Sequence, residues 1–359
     1  EGLSSPLKIP TILPKNPFFF SCDSGRAGSE PAAGAGVAGR PVLLVGPRGT
    51  GKTTAVRSLA DLLPETPRSL CYYGCMPEDV EAGGIDAVCP DCARKYAQGE
   101  PLAKLDRVRL VELPLNARLE DVVGGVDERA AVYDRLRLRR GLLAQADRNL
   151  LYVDEVNLLA AEIADAILDA AAQGSYAVRR GPVSASYRAR FVLIGSMNPE
   201  EGRLRPQIQD RFGLRVLVRG LAGPPERLEA YRRVQAYLAQ PRRMVASYAP
   251  ETAILRDEIQ AARDLLPQVA LADRTARLGL ALIDRLRIDS LRAEITLFEA
   301  ARAFAAADAR RQVSPADLRA VLPLALRGRR SSFMAEYFAQ QQVEEEEINA
   351  LLAEQLPES

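Results

Sequence analysis

The sequence contains no histidine. That absence excludes imidazole acid–base catalysis, Ser-His-Asp triads and His-ligated metals. Whatever chemistry the chain performs rests on carboxylates, Lys, Arg, Thr, Cys or a bound metal. Surplus charge is also missing. Lys and Arg number 48 against 47 Asp and Glu, a net +1, so no global field steers the chain toward nucleic acid or an anionic membrane. No uncharged apolar run reaches roughly 18 residues, which predicts no transmembrane helix. Residues Glu1–Pro10 lack the basic start and apolar stretch of a secretory signal, and the cytoplasm is the expected compartment.

What is present is ordinary globular material, 47% hydrophobic and 26% charged over 359 residues, enough for two cores. Residues 1–40 mix Pro and Gly with little apolar periodicity and read as an N-terminal arm. From 41 to 225, short apolar strands alternate with helices, which predicts an α/β fold, a parallel sheet in an αβα sandwich. The strands are Pro41–Val45, Arg107–Pro114, Asn149–Val153, Arg190–Met197 and Leu214–Arg219; Tyr176–Tyr187 alternates around Arg180-Gly181 as a β-hairpin insertion. Helices are expected at Lys52–Leu63, Leu119–Val132, Gly141–Ala146 and Ala160–Gln173. Residues 68–105 form a Cys-bearing insertion without clear period. From 226 to 359 the pattern is helical throughout, a smaller lid domain with helices at 226–238, 250–265, 272–287, 292–309, 315–326 and 333–355. Glu344–Glu347 in the last of these read as a solvated face.

Two motifs carry the chemistry. Gly46-Pro47-Arg48-Gly49-Thr50-Gly51-Lys52-Thr53, followed by Thr54, fits G-x-x-x-x-G-K-[ST] at every position, with a strand before and a helix after. Its backbone N–H groups would cradle the phosphates of ATP, Lys52 would meet the β and γ oxygens, and Thr53 would ligate Mg²⁺. The second motif is Leu150-Leu151-Tyr152-Val153-Asp154-Glu155. A buried strand ending in two carboxylates sets Asp154 against the Mg²⁺ shell and lets Glu155 polarise the attacking water. Alone, this second pattern is an ordinary strand end; a complete P-loop about a hundred residues upstream gives it meaning.

Asn198 ends the next strand, Phe191–Asn198, like the polar sensor of AAA+ ATPases. Around it, Ala189–Gly213 carries Asn198-Pro199-Glu200-Glu201-Gly202, Leu204-Arg205-Pro206-Gln207 and Asp210-Arg211-Phe212-Gly213. With Gly49–Lys52, Val122–Gly125, Gly141–Ala144, Tyr152–Leu159 and Leu291–Thr296, this segment strongly resembles the I-subunit family of magnesium chelatases, which are AAA+ ATPases related to MoxR-like proteins. The resemblance spans about residues 41 to 330. It implies an arginine finger at Arg211, acting on the γ-phosphate of a neighbouring subunit, and a second sensor at Arg292 on the lid. It implies a self-assembled ring, usually a hexamer, and a partner with a von Willebrand A-like domain, the D subunit. A porphyrin-binding H subunit would then insert Mg²⁺ into protoporphyrin IX. A MoxR-like chaperone remodelling another client with a von Willebrand A partner fits the same motifs.

The chain departs from the family in three places. The arm, Phe18–Arg40, lacks the usual helical Gly-Gln segment. Arg135–Arg140 is unusually basic; a surface helix is expected there, and nucleic-acid binding through it or Arg327–Arg330 is disfavoured by the near-neutral charge. The third departure is Cys71-x₃-Cys75-x₁₃-Cys89-Pro90-Asp91-Cys92, whose paired spacing suits one tetrahedral Zn²⁺. Unligated thiols and a redox-active pair are the alternatives. Cys22 stands alone.

Overall fold

The computed structural model describes residues 41–126, 138–181 and 183–329. The N-terminal arm with Cys22, residues 135–137 of the basic patch, Arg330 and the helix expected at 333–355 lie outside the described residues. Among them the strands are, in chain order, β1 (Val42–Val45), β2 (Thr66–Ser69), β3 (Ala103–Asp106), β4 (Leu110–Leu113), β5 (Gly124–Val126), β6 (Leu138–Arg140), β7 (Leu150–Val153), β8 (Ser175–Arg180), β9 (Val183–Arg188), β10 (Val192–Met197) and β11 (Leu214–Leu217).

Five of these form one sheet in the order β11-β1-β10-β7-β4, parallel at every pairing. Parallel pairing requires crossovers, and helices such as Lys52–Leu62 and Ala161–Gln173 supply them. A sheet covered on both faces needs apolar residues at both parities of each strand. Val42, Leu44, Leu150, Tyr152, Val192 and Ile194 pack with Val56 and Leu59 and with the C-terminal helices. Leu43, Leu151, Val153, Leu193 and Met197 pack instead with Ile163, Ile167, Leu168 and Phe212. The expected αβα core is therefore present, and its central strands end together where β1, β7 and β10 lie side by side.

A helical lid follows, built from Pro224–Ala239, Pro241–Leu265, Asp273–Arg285, Leu291–Ala307 and Pro315–Leu326. Its core is alanine-rich: Ala293, Ala300, Ala301 and Ala305 let helix Leu291–Ala307 approach Leu318 and Val321 closely. Asp317 closes the N-terminus of Pro315–Leu326. It accepts from the Ser314 N–H at 2.7 Å and the Ser314 hydroxyl at 3.0 Å, and pairs with Arg310. Burial would raise the Asp317 carboxyl, but Arg310 and Ser314 overcome this and hold it below its usual range. Lid and core are joined through one apolar cluster and through Arg256, which donates to the Asp61 carbonyl at 2.6 Å.

Four expectations are corrected. Of the helix expected at 119–132, residues 127–132 lie outside the described residues; the described part ends at Val123, because Gly124, at φ 105°, turns the chain into β5 against β6, and a Cβ there would collide with the Arg139 carbonyl. Residues 138–140 of the basic patch, expected as a surface helix, are consequently a strand. The helix expected from 250 begins at Pro241 and runs through Pro250. Proline costs that helix one hydrogen bond, but the carbonyl it frees is exposed to water and Arg242–Ala249 are mostly good helix formers. The Cys-bearing insertion, read in the sequence as lacking a clear period, contains two short helices, Pro77–Gly83 and Pro90–Ala97, between the antiparallel strands β2 and β3.

Candidate active site

The loop after β1 is shaped by what lies behind it. Gly46 donates to the Met197 carbonyl at 3.1 Å, and a Cβ at this position would strike the Val218 carbonyl of the neighbouring strand end. Pro47, Arg48 and Gly49 are exposed, and Gly49 and Gly51 hold φ 73° and 79°, where side chains are strained. The Thr50 hydroxyl closes the turn on the Pro47 carbonyl at 3.0 Å. Lys52 opens the following helix, and its ammonium donates to the carbonyls of Gly46 and Pro47 at 2.7 and 2.8 Å. Thr54 is exposed one residue beyond Thr53, its carbonyl accepting from Ser58.

Four oxygen-bearing side chains converge beside this loop. The Thr53 hydroxyl lies 3.5 Å from Asp154 Oδ2 and 3.1 Å from the Tyr152 hydroxyl. Tyr152 donates to Asp154 Oδ1 at 3.0 Å, and Ser196 donates to the same oxygen. Glu155 follows in the left-handed region, φ 48°, with its N–H shared between Asp154 Oδ1 and Ser196 Oγ, both at 3.2 Å. That turn swings the Glu155 carboxylate out of line with Asp154 toward Arg48, 3.7 Å away. Arg48 also pairs with Glu201, which accepts from the buried Asn198 amide at 2.8 Å. Partial burial and the neighbouring Glu201 push the Glu155 carboxyl above its usual range. Glu201 moves the other way, held low chiefly by the Asn198 amide and then by Arg48. An oxygen cluster of hydroxyl and carboxylate at a P-loop fits a hard divalent cation such as Mg²⁺.

Lys52, Thr53, Asp154, Glu155, Asn198 and Arg48 are thus brought together. Arg211 and Arg292 have their partners elsewhere in the chain. Arg211 ends helix Pro206–Arg211 and pairs with Asp169 at 2.6 Å and Asp165 at 3.7 Å on helix Ala161–Gln173. Arg292 reaches back from the lid to Asp210 at 2.9 Å, an acid also held by Arg329 at 2.7 Å. The adjacent residues Asp210 and Arg211 therefore tie one short helix both to the lid and to the core. Nearby, burial and then Arg329 lower the Arg215 guanidinium to about 10; it donates to the Arg327 and Gln209 carbonyls, both at 2.6 Å.

Sequence reasoning missed Tyr152, Ser196, Glu201, Asp210 and Arg329. A signal existed for the first two. Side chains two apart on a strand share a face, so Tyr152 accompanies Asp154, and Ser196 accompanies Asn198 on the adjoining β10. No local pattern points to the long-range partners of Glu201 and Arg329, Arg48 and Asp210, which are 153 and 119 residues away.

The four cysteines also converge, apart from this site. The sulfurs of Cys71, Cys75, Cys89 and Cys92 all lie within 4.8 Å of one another.

Comparison with known proteins gives the architecture a family. Residues 282–351 match the AAA lid domain family. The chain is 44% identical to the magnesium-chelatase 38 kDa subunit of Acidiphilium rubrum, over 80% of this chain and 83% of that one. It is 40% identical to the magnesium-chelatase subunit ChlI homolog of Methanocaldococcus jannaschii, over 81% and 79%, and 38% identical to subunit ChlI of Anabaena variabilis, over 80% and 85%. Among solved structures, a protein from Cytophaga hutchinsonii shares the fold at 18% identity, with a TM-score of 0.52 over 87% of this chain and 85% of that one. With a complete P-loop, a parallel core, a helical lid and this degree of identity to named subunits, the chain belongs to the I-subunit family of magnesium chelatases, which are AAA+ ATPases.

Proposed function

We propose that this chain is the ATP-hydrolysing motor of a magnesium-chelatase-type complex. The observation that carries the reading is the convergence of Thr53, Tyr152 and Ser196 on Asp154 beside the P-loop. Thr53 and Asp154 would hold Mg²⁺, which when bound neutralises charge on the phosphate oxygens. Lys52 would leave the loop carbonyls and bind the β- and γ-phosphates, with the backbone of Gly46–Gly51 cradling them. Glu155, swung away from Asp154, would accept the proton of the attacking water, and Asn198 would hold that water in line. Arg48 pairs with both Glu155 and Glu201 and so links the carboxylate beside the P-loop to the Asn198 amide that Glu201 accepts from.

Arg211 would act on the site of a neighbouring copy, its positive charge compensating what develops on the transferring phosphoryl group. A site shared in this way requires a ring, which we take to be a hexamer. Arg292, tied to Asp210 beside Arg211, would report nucleotide state from the lid to that interface. The relatives are each named a subunit, which supports partners: a D-like subunit with a von Willebrand A domain, and an H-like subunit that inserts Mg²⁺ into protoporphyrin IX. The expected zinc has no part in this chemistry, since four thiolates leave no open position for substrate. The domain boundaries at 40/41 and 225/226, with insertions at 68–105 and 176–187, belong to the same reading.

The deciding experiment measures Mg²⁺ insertion into protoporphyrin IX by this chain together with D- and H-type subunits. ATP-dependent insertion is the expected result. ATP hydrolysis stimulated by a von Willebrand A partner with no insertion would favour the MoxR-like chaperone instead.

A further inference from the structure

The segment between β2 and β3 is built around its thiols. In residues 70–102 the buried side chains are Cys75, Met76, Val80, Cys92 and Leu102, so two of the five are cysteines. Three apolar side chains cannot offset the entropy of ordering so long a loop. Nor does the core supply the missing contacts. A polar cleft of about 870 Å³ runs between the segment, with Cys71, Tyr72 and Met76 on its wall, and Leu142, Ala144 and Gln145 opposite. Across that gap the links are polar: Glu78 to Arg148 at 2.6 Å, Asp79 to Arg188, and Arg140 to the Tyr72 carbonyl at 3.2 Å.

The thiols arrive from three separate pieces of chain. Cys71 follows β2, Cys75 precedes helix Pro77–Gly83, and Cys89 and Cys92 occupy the N-cap and first turn of helix Pro90–Ala97. The sulfur of Cys71 lies 3.8 Å from that of Cys75 and 3.6 Å from that of Cys89. Four sulfurs at about 2.3 Å from one zinc stand about 3.8 Å apart, which is this spacing. A disulfide would need about 2.05 Å. A multi-iron cluster, with sulfides between its metals, would hold the thiolates farther apart than this. Backbone donors also reach two of the sulfurs. Tyr73 N–H donates to Cys71 Sγ at 3.2 Å and Cys89 N–H to Cys75 Sγ at 3.3 Å, while a helix N-terminus faces the Cys89–Cys92 pair.

We infer that Cys71, Cys75, Cys89 and Cys92 bind one Zn²⁺ as a closed tetrathiolate, and that this ion is what orders residues 70–102 over the cleft. Binding releases thiol protons to solvent and changes no oxidation state. The inference stands independently of the nucleotide site. It also gives the ion a mechanical consequence. Glu78 and Asp79, positioned by the metal-ordered helix, hold Arg148 immediately before β7 and Arg188 on β9.

The test uses the full chain, purified reduced and without a metal-binding tag. Elemental analysis is expected to find one equivalent of zinc, and replacement by Co²⁺ to give the thiolate charge-transfer bands and intense visible bands of a tetrahedral site. Cys89→Ser and Cys92→Ser are each expected to weaken retention of Zn²⁺ against a competing chelator by more than about 100-fold. Stripping zinc from the wild-type chain is expected to open 70–102 to protease while binding of an ATP analogue, followed in parallel, persists. Less than a tenth of an equivalent of any metal, with all four thiols reacting equally fast in the presence and absence of added Zn²⁺, overturns the inference. An equivalent of iron in place of zinc overturns it as well.

Discussion

At the end of β7, Asp154 stands on a strand whose residues Leu150, Leu151, Tyr152 and Val153 are all buried, between two apolar layers. In the cysteine module the functional groups are themselves much of the buried material. The first region can therefore lose a charged or polar group and keep its shape, because packing on both faces of the sheet fixes the backbone. The second cannot, because its ligands and its core are the same atoms. Damage to the nucleotide site is accordingly expected to appear in rate, and damage to the cysteine module in order.

The largest effect that sharpens this contrast is at Arg211. Arg211→Ala is expected to lower hydrolysis by the assembled protein by about 10³- to 10⁵-fold, with unchanged binding of a fluorescent ATP analogue. Next comes Glu155→Gln, expected to reduce turnover by about 10²- to 10⁴-fold in steady-state phosphate release while ATP binding and metal content stay at wild-type levels. Both variants are expected to melt within a degree or two of the wild type, which calorimetry checks. A large drop in melting temperature in either would break the claim that shape and chemistry are separable there.

Smaller effects test packing away from both regions. Asp317→Asn removes one of the two carboxylates paired with Arg310 and weakens the cap of helix Pro315–Leu326, and a loss of about 2 kcal/mol is expected by denaturant titration. The sign with pH follows from the direction of the shift. Asp317 is held below its unfolded value of about 4, so its contribution is full above that pH and is lost as pH falls through the folded value. Wild type and Asp317→Asn are therefore expected to converge in stability in acid. Arg57→Ala breaks the exposed pair with Glu112, 2.8 Å apart, and is expected to cost less than about 1 kcal/mol and to leave hydrolysis intact.

Much of the core was legible because parallel strands announce themselves as short apolar runs and the P-loop has fixed spacing. Lys52, Thr53 and Asp154 stood out in the sequence as candidates, and the structure places Thr53 and Asp154 side by side at the P-loop that Lys52 closes. The early end of the helix at Val123 was illegible, since Gly124 turns the chain only because β6 pairs with it from a distance. Glu201 was illegible for a related reason. It matters through Arg48 and Asn198, and the pair Arg48–Glu201 exists only after β1 and β10 are neighbours. The lid's link to the core through Asp210, Arg292 and Arg329 is likewise a product of folding, with no local period to betray it.

The central claim is that each site is completed by Arg211 of a neighbouring copy. Mixing two inactive variants, Glu155→Gln and Arg211→Ala, tests it most directly. In mixed rings, an Arg211→Ala subunit with its own Glu155 can sit beside a Glu155→Gln subunit that offers Arg211. The account predicts that ATP hydrolysis, negligible for each variant alone, returns on mixing. Mixed rings that bind ATP yet remain as inactive as either parent would contradict it.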